Sequence, residues 1–230
     1  QIQGPNALKV LRSAAPDIDL SSFKYFHALN LSFDGQNFLV SRTGWTGELG
    51  FEIYTNGPHD DCTALWDFLM TKGKKFGIKT GGLDSMGIRR IEAGILDYGT
   101  DMNRFNNPFE MGLGSFVDLT KDNYIGKDKL ISMNKSTQFY GVICKDTTPF
   151  SGLEILEQNT VVGQTTVGAF SPYLNSGIGY VLIKKNQRTS AADWLSKKLL
   201  LRDKDENSYE CRLIRLPFYD SQKKITKGLT

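Results

Sequence analysis

After Lys135 the chain changes to short, largely apolar segments separated by glycine-containing turns. Such segments are typical of β-strands, and several of them at this spacing predict a small barrel or sandwich. We therefore expect the chain to end in a compact β-domain. The predicted strands are residues 139–144, 153–156, 161–167, 178–183, 194–201 and 209–216.

The first part of the chain mixes strands with helices. Alternating apolar residues flank Asp34-Gly35, the residue pair of a tight hairpin turn. Acidic residues at Asp60 and Asp61 precede an apolar stripe that begins at Cys62 and predicts a helix, with Cys62 packed in the core. Since helices and strands do not alternate regularly, the predicted class is α+β.

A further helix is predicted to begin near Asp84 and to extend to Ile95. Gly87 and Gly94 lie within it, and each lowers helix propensity by about 1 kcal/mol relative to alanine. We expect the close approach of another backbone or of a ligand to explain them. The boundary between the two regions is placed after residue 134, which gives domains at residues 1–134 and 135–230.

Composition excludes several classes of protein. The 230 residues contain 28 Lys and Arg against 25 Asp and Glu, and no apolar run reaches the roughly 18 residues that a membrane helix needs. Three cysteines and two histidines are too few and too scattered to predict a disulfide framework or a Cys/His metal site. We expect a cytoplasmic protein without a metal and without a membrane partner.

Positive charge is concentrated near the C-terminus. The segment 184–230 has 12 basic and 6 acidic residues, whereas the preceding part has 16 and 19. A basic segment attracts nucleic acid or an acidic carrier protein, but a solvated face of mixed charge is the simpler interpretation, because acidic residues interrupt every basic cluster. We predict no nucleic-acid partner.

The segment 41–52 is the densest motif, with Gly44, Gly47 and Gly50 at intervals of three. A phosphate-binding loop is disfavoured because no Gly-Lys-Ser/Thr follows, and a purely structural turn is the other alternative. As a ligand site, the glycines would let backbone approach a flat ring. Trp45 would then offer a stacking face, and Glu52 would accept two parallel hydrogen bonds from an amidine-like edge such as pterins and purines present.

The segment 89–113 places charged residues in apolar, glycine-containing surroundings. Arg90 and Glu92 are two residues apart and cannot share a helix face, so each should have its own partner. Asp101 and Glu110 are predicted partners for arginines or backbone amides. A buried network of structural ion pairs is the alternative to a ligand site.

Taken together, these segments resemble the glycine-cleavage T-protein (aminomethyltransferase) family and its relatives that demethylate dimethylglycine, sarcosine or dimethylsulfoniopropionate. The resemblance runs over nearly the whole chain. It is carried by the ordered stretches 2–7, 42–52, 90–101, 107–113, 171–181 and 216–220.

The resemblance implies a tetrahydrofolate-dependent one-carbon transferase. Its fold would be a ferredoxin-like folate-binding region, incomplete at the N-terminus, followed by a small C-terminal β-barrel. An aminomethyltransferase would transfer a methylene unit to tetrahydrofolate from an aminomethyl donor on a lipoyl carrier protein or from a small-molecule donor. A tetrahydrofolate-dependent demethylase and a folate-binding regulatory module without catalysis are the alternatives. The cofactor-binding residues implied are Glu52, Trp45, Arg90, Tyr98 and Asp101, and Glu92 and Glu110 also match family positions that line or brace the pocket.

Three departures from the family pattern bear on the reaction. Met86 stands where the T-protein has an arginine for the folate tail, and Lys223 stands near the position of a C-terminal tyrosine. The family's catalytic aspartate lies upstream of the Gln3-Gly4-Pro5 turn. We therefore expect it upstream of residue 1, and expect the 230 residues to be inactive alone.

Overall fold

The computed structural model describes residues 1–19, 23–184 and 191–229, which divide into two compact units. The first comprises residues 1–90 and 220–230, and the second comprises residues 91–219. Residues 185–190 and 230 of the predicted basic segment lie outside the described residues. The division at residue 90 falls inside a helix, so the domain boundary after residue 134 stays a prediction.

A four-stranded antiparallel sheet with two helices on it forms most of the first unit. The strands lie in the order β1-β4-β3-β2, and apolar side chains from the sheet and from α1 form the core. Helices α1 and α2 pack on each other. The elements are β1 (Ile2–Gln3), α1 (Ala7–Ala14), β2 (Ala28–Phe33), β3 (Gln36–Ser41), β4 (Gly50–Tyr54), α2 (Cys62–Gly73), α3 (Leu83–Glu92) and, near the C-terminus, α6 (Lys224–Lys227).

A closed antiparallel barrel of six strands, in the order β10-β5-β8-β7-β6-β9, forms most of the second unit. The predicted α+β class and C-terminal barrel are confirmed. Among the described residues, no helix has the length and apolar character that crossing a membrane requires. The elements are α4 (Lys127–Ser132), β5 (Phe139–Cys144), β6 (Glu154–Glu157), β7 (Thr160–Ser171), β8 (Ser176–Ile183), α5 (Ala191–Ser196), β9 (Leu199–Arg202) and β10 (Ser208–Ile214).

The barrel differs from the prediction at residues 194–201. Trp194 lies in the short helix α5, and the strand β9 begins only at Leu199. The segment lacks a strict alternation, because Ser196, Lys197 and Lys198 interrupt its apolar residues. The indole of Trp194 is buried in the core of the barrel although it lies outside the strands, so the strand prediction was wrong for residues 194–198.

Helix α2 confirms its predicted start but not its predicted buried face. The carboxylate of Asp61 caps the helix by accepting a hydrogen bond from the amide of Ala64 at 2.9 Å. Leu65 and Leu69 face the core, whereas Trp66 is 55% exposed and Cys62 is exposed. The prediction that Cys62 packs in the core was wrong, because the inward face of the helix is narrower than the apolar stripe.

The other two cysteines are buried opposite each other in the barrel. Cys211 on β10 pairs in register with Cys144 on β5. Burial, with the neighbouring Cys144 as a smaller cause, raises the pKa of Cys211 to about 12. The thiol of Cys211 is therefore protonated at neutral pH, as expected for a core side chain.

Helix α3 ends at Glu92, three residues before the predicted end. Gly94 follows in the left-handed region with φ +69°, a conformation that ends helices. A Cβ on Gly94 would lie 2.9 Å from the Cα of Pro217, so the predicted close approach of backbone is confirmed there. Gly87 has no such neighbour, because a Cβ built on it meets nothing within 4 Å.

Candidate functional site

The loop between β3 and β4, residues 42–49, is organised around the side chain of Gln3. The carboxamide of Gln3 donates to the carbonyl of Thr43 at 3.3 Å and accepts from the hydroxyl of Thr46 at 2.7 Å. A Cβ on Gly44 or Gly50 would lie 2.1 or 2.2 Å from this carboxamide. The space over these two glycines is therefore taken by Gln3 and not by a flat ligand, which corrects the sequence interpretation.

Gly47 has a different reason to be glycine. Its φ of +73° lies in the left-handed region, which residues with a Cβ rarely adopt. Gly47 is therefore required by the backbone conformation of the loop. Gly44 and Gly50 are required because the side chain of Gln3, more than forty positions earlier, fills the space over them.

The role of Gln3 can be tested by a double-mutant cycle. Gly50→Ala should displace the carboxamide and cost about 2 kcal/mol of unfolding free energy, since two hydrogen bonds of about 1 kcal/mol each are lost. In a Gln3→Ala background the same substitution should cost less than about 0.5 kcal/mol, because the space is then open. Urea denaturation of the four proteins measures the coupling, and an equal cost in both backgrounds would contradict it.

Glu52 lies at the third position of β4, opposite Ser41 on β3, and its side chain is half-buried. One carboxylate oxygen, Oε2, accepts hydrogen bonds from the hydroxyl of Thr43 and, at 3.1 Å, from that of Tyr54. None of the described residues donates to Oε1. The carboxylate is thus held in one orientation with an acceptor oxygen available for a further N–H group.

Trp45 and Arg90 are brought together. The guanidinium carbon of Arg90 lies 5.5 Å from the centre of the Trp45 ring, a cation–π distance, and Arg90 is buried. One face of the indole is therefore covered by Arg90, and only the other face is available to a ligand. Arg89, the preceding residue on α3, forms an ion pair with Glu48 of the loop.

The remaining predicted site residues, Tyr98 and Asp101, belong to the second unit. Tyr98 is 67% exposed. Asp101 is buried, and its carboxylate accepts from the amide of Asp97 at 2.8 Å and from the hydroxyl of Thr166 at 3.0 Å. Asp101 therefore braces its turn, and the cofactor-binding role of both residues stays a prediction.

The two acidic residues that match bracing positions of the family pattern also bond within the second unit. Glu110 accepts from the amide of Asn107 at 3.3 Å, and Glu92 accepts from the hydroxyl of Ser171 at 2.6 Å. Asp101 and Glu110 thus bind backbone amides, one of the two predicted possibilities. Arg90 and Glu92 have separate partners, as their spacing required.

Three contributors to this region were not predicted. Gln3 and Glu48 lie in stretches that carry the family resemblance, but nothing local indicates that a carboxamide fills the space over two glycines. Thr226 donates to the carbonyl of Gly47 at 2.7 Å across 179 positions of sequence. No pattern in the sequence connects these two residues.

The chain thus combines an antiparallel α+β unit, which carries the Glu52 loop, with a closed six-stranded barrel. Residues 1–121 match the family model of the GCVT N-terminal domain, and residues 138–220 match that of the glycine cleavage T-protein C-terminal barrel domain. The chain belongs to the glycine cleavage T-protein family.

Named relatives are similar over most of the chain. It is 36% identical over 219 residues to an aminomethyltransferase of Alkaliphilus oremlandii, covering 87% of this chain and 59% of the relative. It is 33% identical over 227 residues to an aminomethyltransferase of Pseudothermotoga lettingae, covering 95% and 58%. The chain therefore spans about three fifths of the length of these relatives.

A solved structure shows the same fold. The glycine cleavage system aminomethyltransferase T from Bartonella henselae superposes with a TM-score of 0.75 at 20% identity, over 92% of this chain and 56% of that chain.

Proposed function

We propose that this chain is the folate-binding and barrel portion of a tetrahydrofolate-dependent one-carbon transferase, and specifically of an aminomethyltransferase. The observation that carries the proposal is the carboxylate of Glu52, fixed through Oε2 and open at Oε1. The names of the relatives support the choice of reaction.

The residues present fit a pterin edge, which offers adjacent N–H donors. Oε1 of Glu52 would accept the first of these donors. A second, parallel bond would require Oε2 to exchange one of its present donors, and the hydroxyl of Tyr54 is suited to this because Tyr54 is exposed and its hydroxyl can turn to water instead. Thr43 would remain bonded and keep the carboxylate oriented.

The share of this chain in the reaction is orientation. Bound tetrahydrofolate supplies the amine nitrogen that takes up the one-carbon unit. Glu52 would fix the ring by its edge, and the open face of Trp45 would limit its tilt, while Arg90 holds the indole from the other side. Orienting two reactants in this way lowers barriers by up to about 7–11 kcal/mol in favourable cases. We propose a lipoyl carrier protein as the source of the aminomethyl group and the cytoplasm as the location.

Titration with a stable reduced folate, 5-formyltetrahydrofolate, tests the proposal. The wild-type chain should bind it, and Glu52→Gln should weaken binding by about 10- to 100-fold, because a charge-assisted hydrogen bond contributes roughly 1.5–3 kcal/mol. Quenching of tryptophan fluorescence or calorimetry measures the affinity.

The matched control is Glu210→Gln, since Glu210 is an exposed glutamate on a barrel strand. Its affinity should equal that of the wild type. Equal affinity of Glu52→Gln and wild type, with both proteins folded by circular dichroism, would refute the assignment of Glu52. A full-length protein that consumes a methyl donor in place of an aminomethyl carrier would favour the demethylase.

A further inference from the structure

The C-terminal segment, residues 220–229, belongs to the first unit although the barrel separates it in sequence from the rest of that unit. Two contacts fasten it to the β3–β4 loop. The hydroxyl of Thr226 donates to the carbonyl of Gly47 at 2.7 Å, and the guanidinium of Arg42 donates to the carbonyl of Lys227 at 2.8 Å. The loop is therefore held near its start and at its tip by the same short segment.

The segment has a defined shape of its own. The carboxylate of Asp220 accepts from the amides of Lys224 and Ile225 at 2.8 and 2.9 Å, which fixes the first turn of α6. Gly228, with φ +68°, ends the helix in a left-handed conformation. Thr226 lies within this short helix and is 6% exposed, and its hydroxyl is directed at the carbonyl of Gly47.

The bond falls where the loop is least supported by regular structure. Gly47 adopts a left-handed conformation between Trp45 and Glu48 and outside the strands β3 and β4. Its carbonyl accepts from the hydroxyl of the buried Thr226, and loss of that donor would remove the hydrogen bond that joins this carbonyl to α6. A loop that carries an aromatic contact to a ligand binds well only if its conformation is set before binding.

We propose that Thr226 is a positioning residue for folate binding, because it fixes the tip of the loop that carries Trp45. The ligand in this inference rests on the proposed function, whereas the hydrogen bond from Thr226 to Gly47 does not depend on it. The segment 220–229 acts as a clamp: it does not touch the ligand, and it sets the loop that does.

The experiment compares Thr226→Val, which keeps the shape and removes the hydroxyl, with Thr226→Ser, which keeps the hydroxyl. Amide hydrogen exchange of residues 43–49 is measured first. Thr226→Val should raise exchange in the loop by about tenfold, the value of one hydrogen bond, and should weaken 5-formyltetrahydrofolate binding by a similar factor. Thr226→Ser should restore both to within about threefold of wild type.

Thr63→Val is the matched control, because Thr63 is an exposed threonine on α2. It should change neither readout. If Thr226→Val does not fold, Thr226→Ala replaces it, since a smaller side chain cannot crowd the site.

Three outcomes overturn the inference. Unchanged loop exchange in Thr226→Val removes the clamp. Raised exchange with unchanged folate affinity, while Glu52→Gln still weakens binding, removes the positioning role and leaves the proposed function standing. Raised exchange in a chain whose wild type binds no folate leaves the clamp as a structural contact and refutes both the folate site and the positioning role.

Discussion

Gly177→Ala is expected to prevent the barrel from folding to a stable state. A Cβ on Gly177 would lie 2.0 Å from the carbonyl oxygen of Thr147 and 2.9 Å from the Cα of Thr148. Both are backbone atoms of a segment that lies against β8, so neither can turn aside as a side-chain end can. We expect a loss of about 4 kcal/mol or more, which belongs to the exceptional class of single substitutions. Thermal unfolding followed by circular dichroism should show a much lower or absent cooperative transition.

The same substitution at Gly87 is the control. A Cβ on Gly87 meets nothing within 4 Å, and the residue lies in the interior of helix α3. Gly87→Ala should therefore stabilise the protein by up to about 1 kcal/mol through helix propensity. A Gly177→Ala protein that melts within a few degrees of wild type would contradict the packing of residues 147–149 against the strand.

Local patterns were sufficient where the structure depends on neighbours in sequence. Asp34 and Gly35 both have positive φ, the conformation that the predicted hairpin turn requires, and the strands on either side pair as expected. The strand 139–144 was predicted at its observed bounds. In the hairpin, the alternating side chains and the turn residues determine the element, whereas strand 139–144 is a short apolar run that is buried along nearly its whole length.

Local patterns failed where a distant residue decides. Gly44 and Gly50 were recognised as positions that need space, but the group that fills the space, Gln3, is fixed by the pairing of β1 with β4. Gly94 was recognised in the same way, and there the neighbour is the backbone of Pro217. A glycine pattern therefore predicts that another group packs closely against the backbone, but the identity of that group follows only from the fold.

The candidate site shows the same limit. That Glu52 accepts hydrogen bonds from an amidine-like edge was argued from its position after a glycine-rich bend, and the structure adds that Thr43 and Tyr54 orient it. The choice of a pterin over a purine came from the family resemblance, since both rings present such an edge. The hydrogen bond from Thr226 to Gly47 connects two segments that are separated in sequence by all residues of the barrel. Local strand and turn patterns therefore cannot predict it.

Glu92→Ala is expected to give the second large loss of stability, about 3–5 kcal/mol, because it removes two hydrogen bonds to a buried charged group, each contributing about 1.5–3 kcal/mol. Glu92 is 1% exposed. Its carboxylate accepts from the hydroxyl of Ser171 at 2.6 Å and from that of Tyr219 at 3.4 Å, and its carbonyl accepts from the amide of Phe218. The side chain thus connects the last residue of α3 to the end of β7 and to the chain after β10.

Urea denaturation measures the change, with Glu210→Ala as the control for removing a glutamate from the surface of the second unit. Glu210 is exposed on β10, and its replacement should stay within about 0.5 kcal/mol of wild type. Ser171→Ala should cost about 1.5–3 kcal/mol, the value of one hydrogen bond to a charged group, and should cost much less once Glu92 is already alanine. Additive losses in the Glu92→Ala, Ser171→Ala double variant would show that the two side chains stabilise the barrel independently, and the bracing role of Glu92 would then have to come from its other contacts.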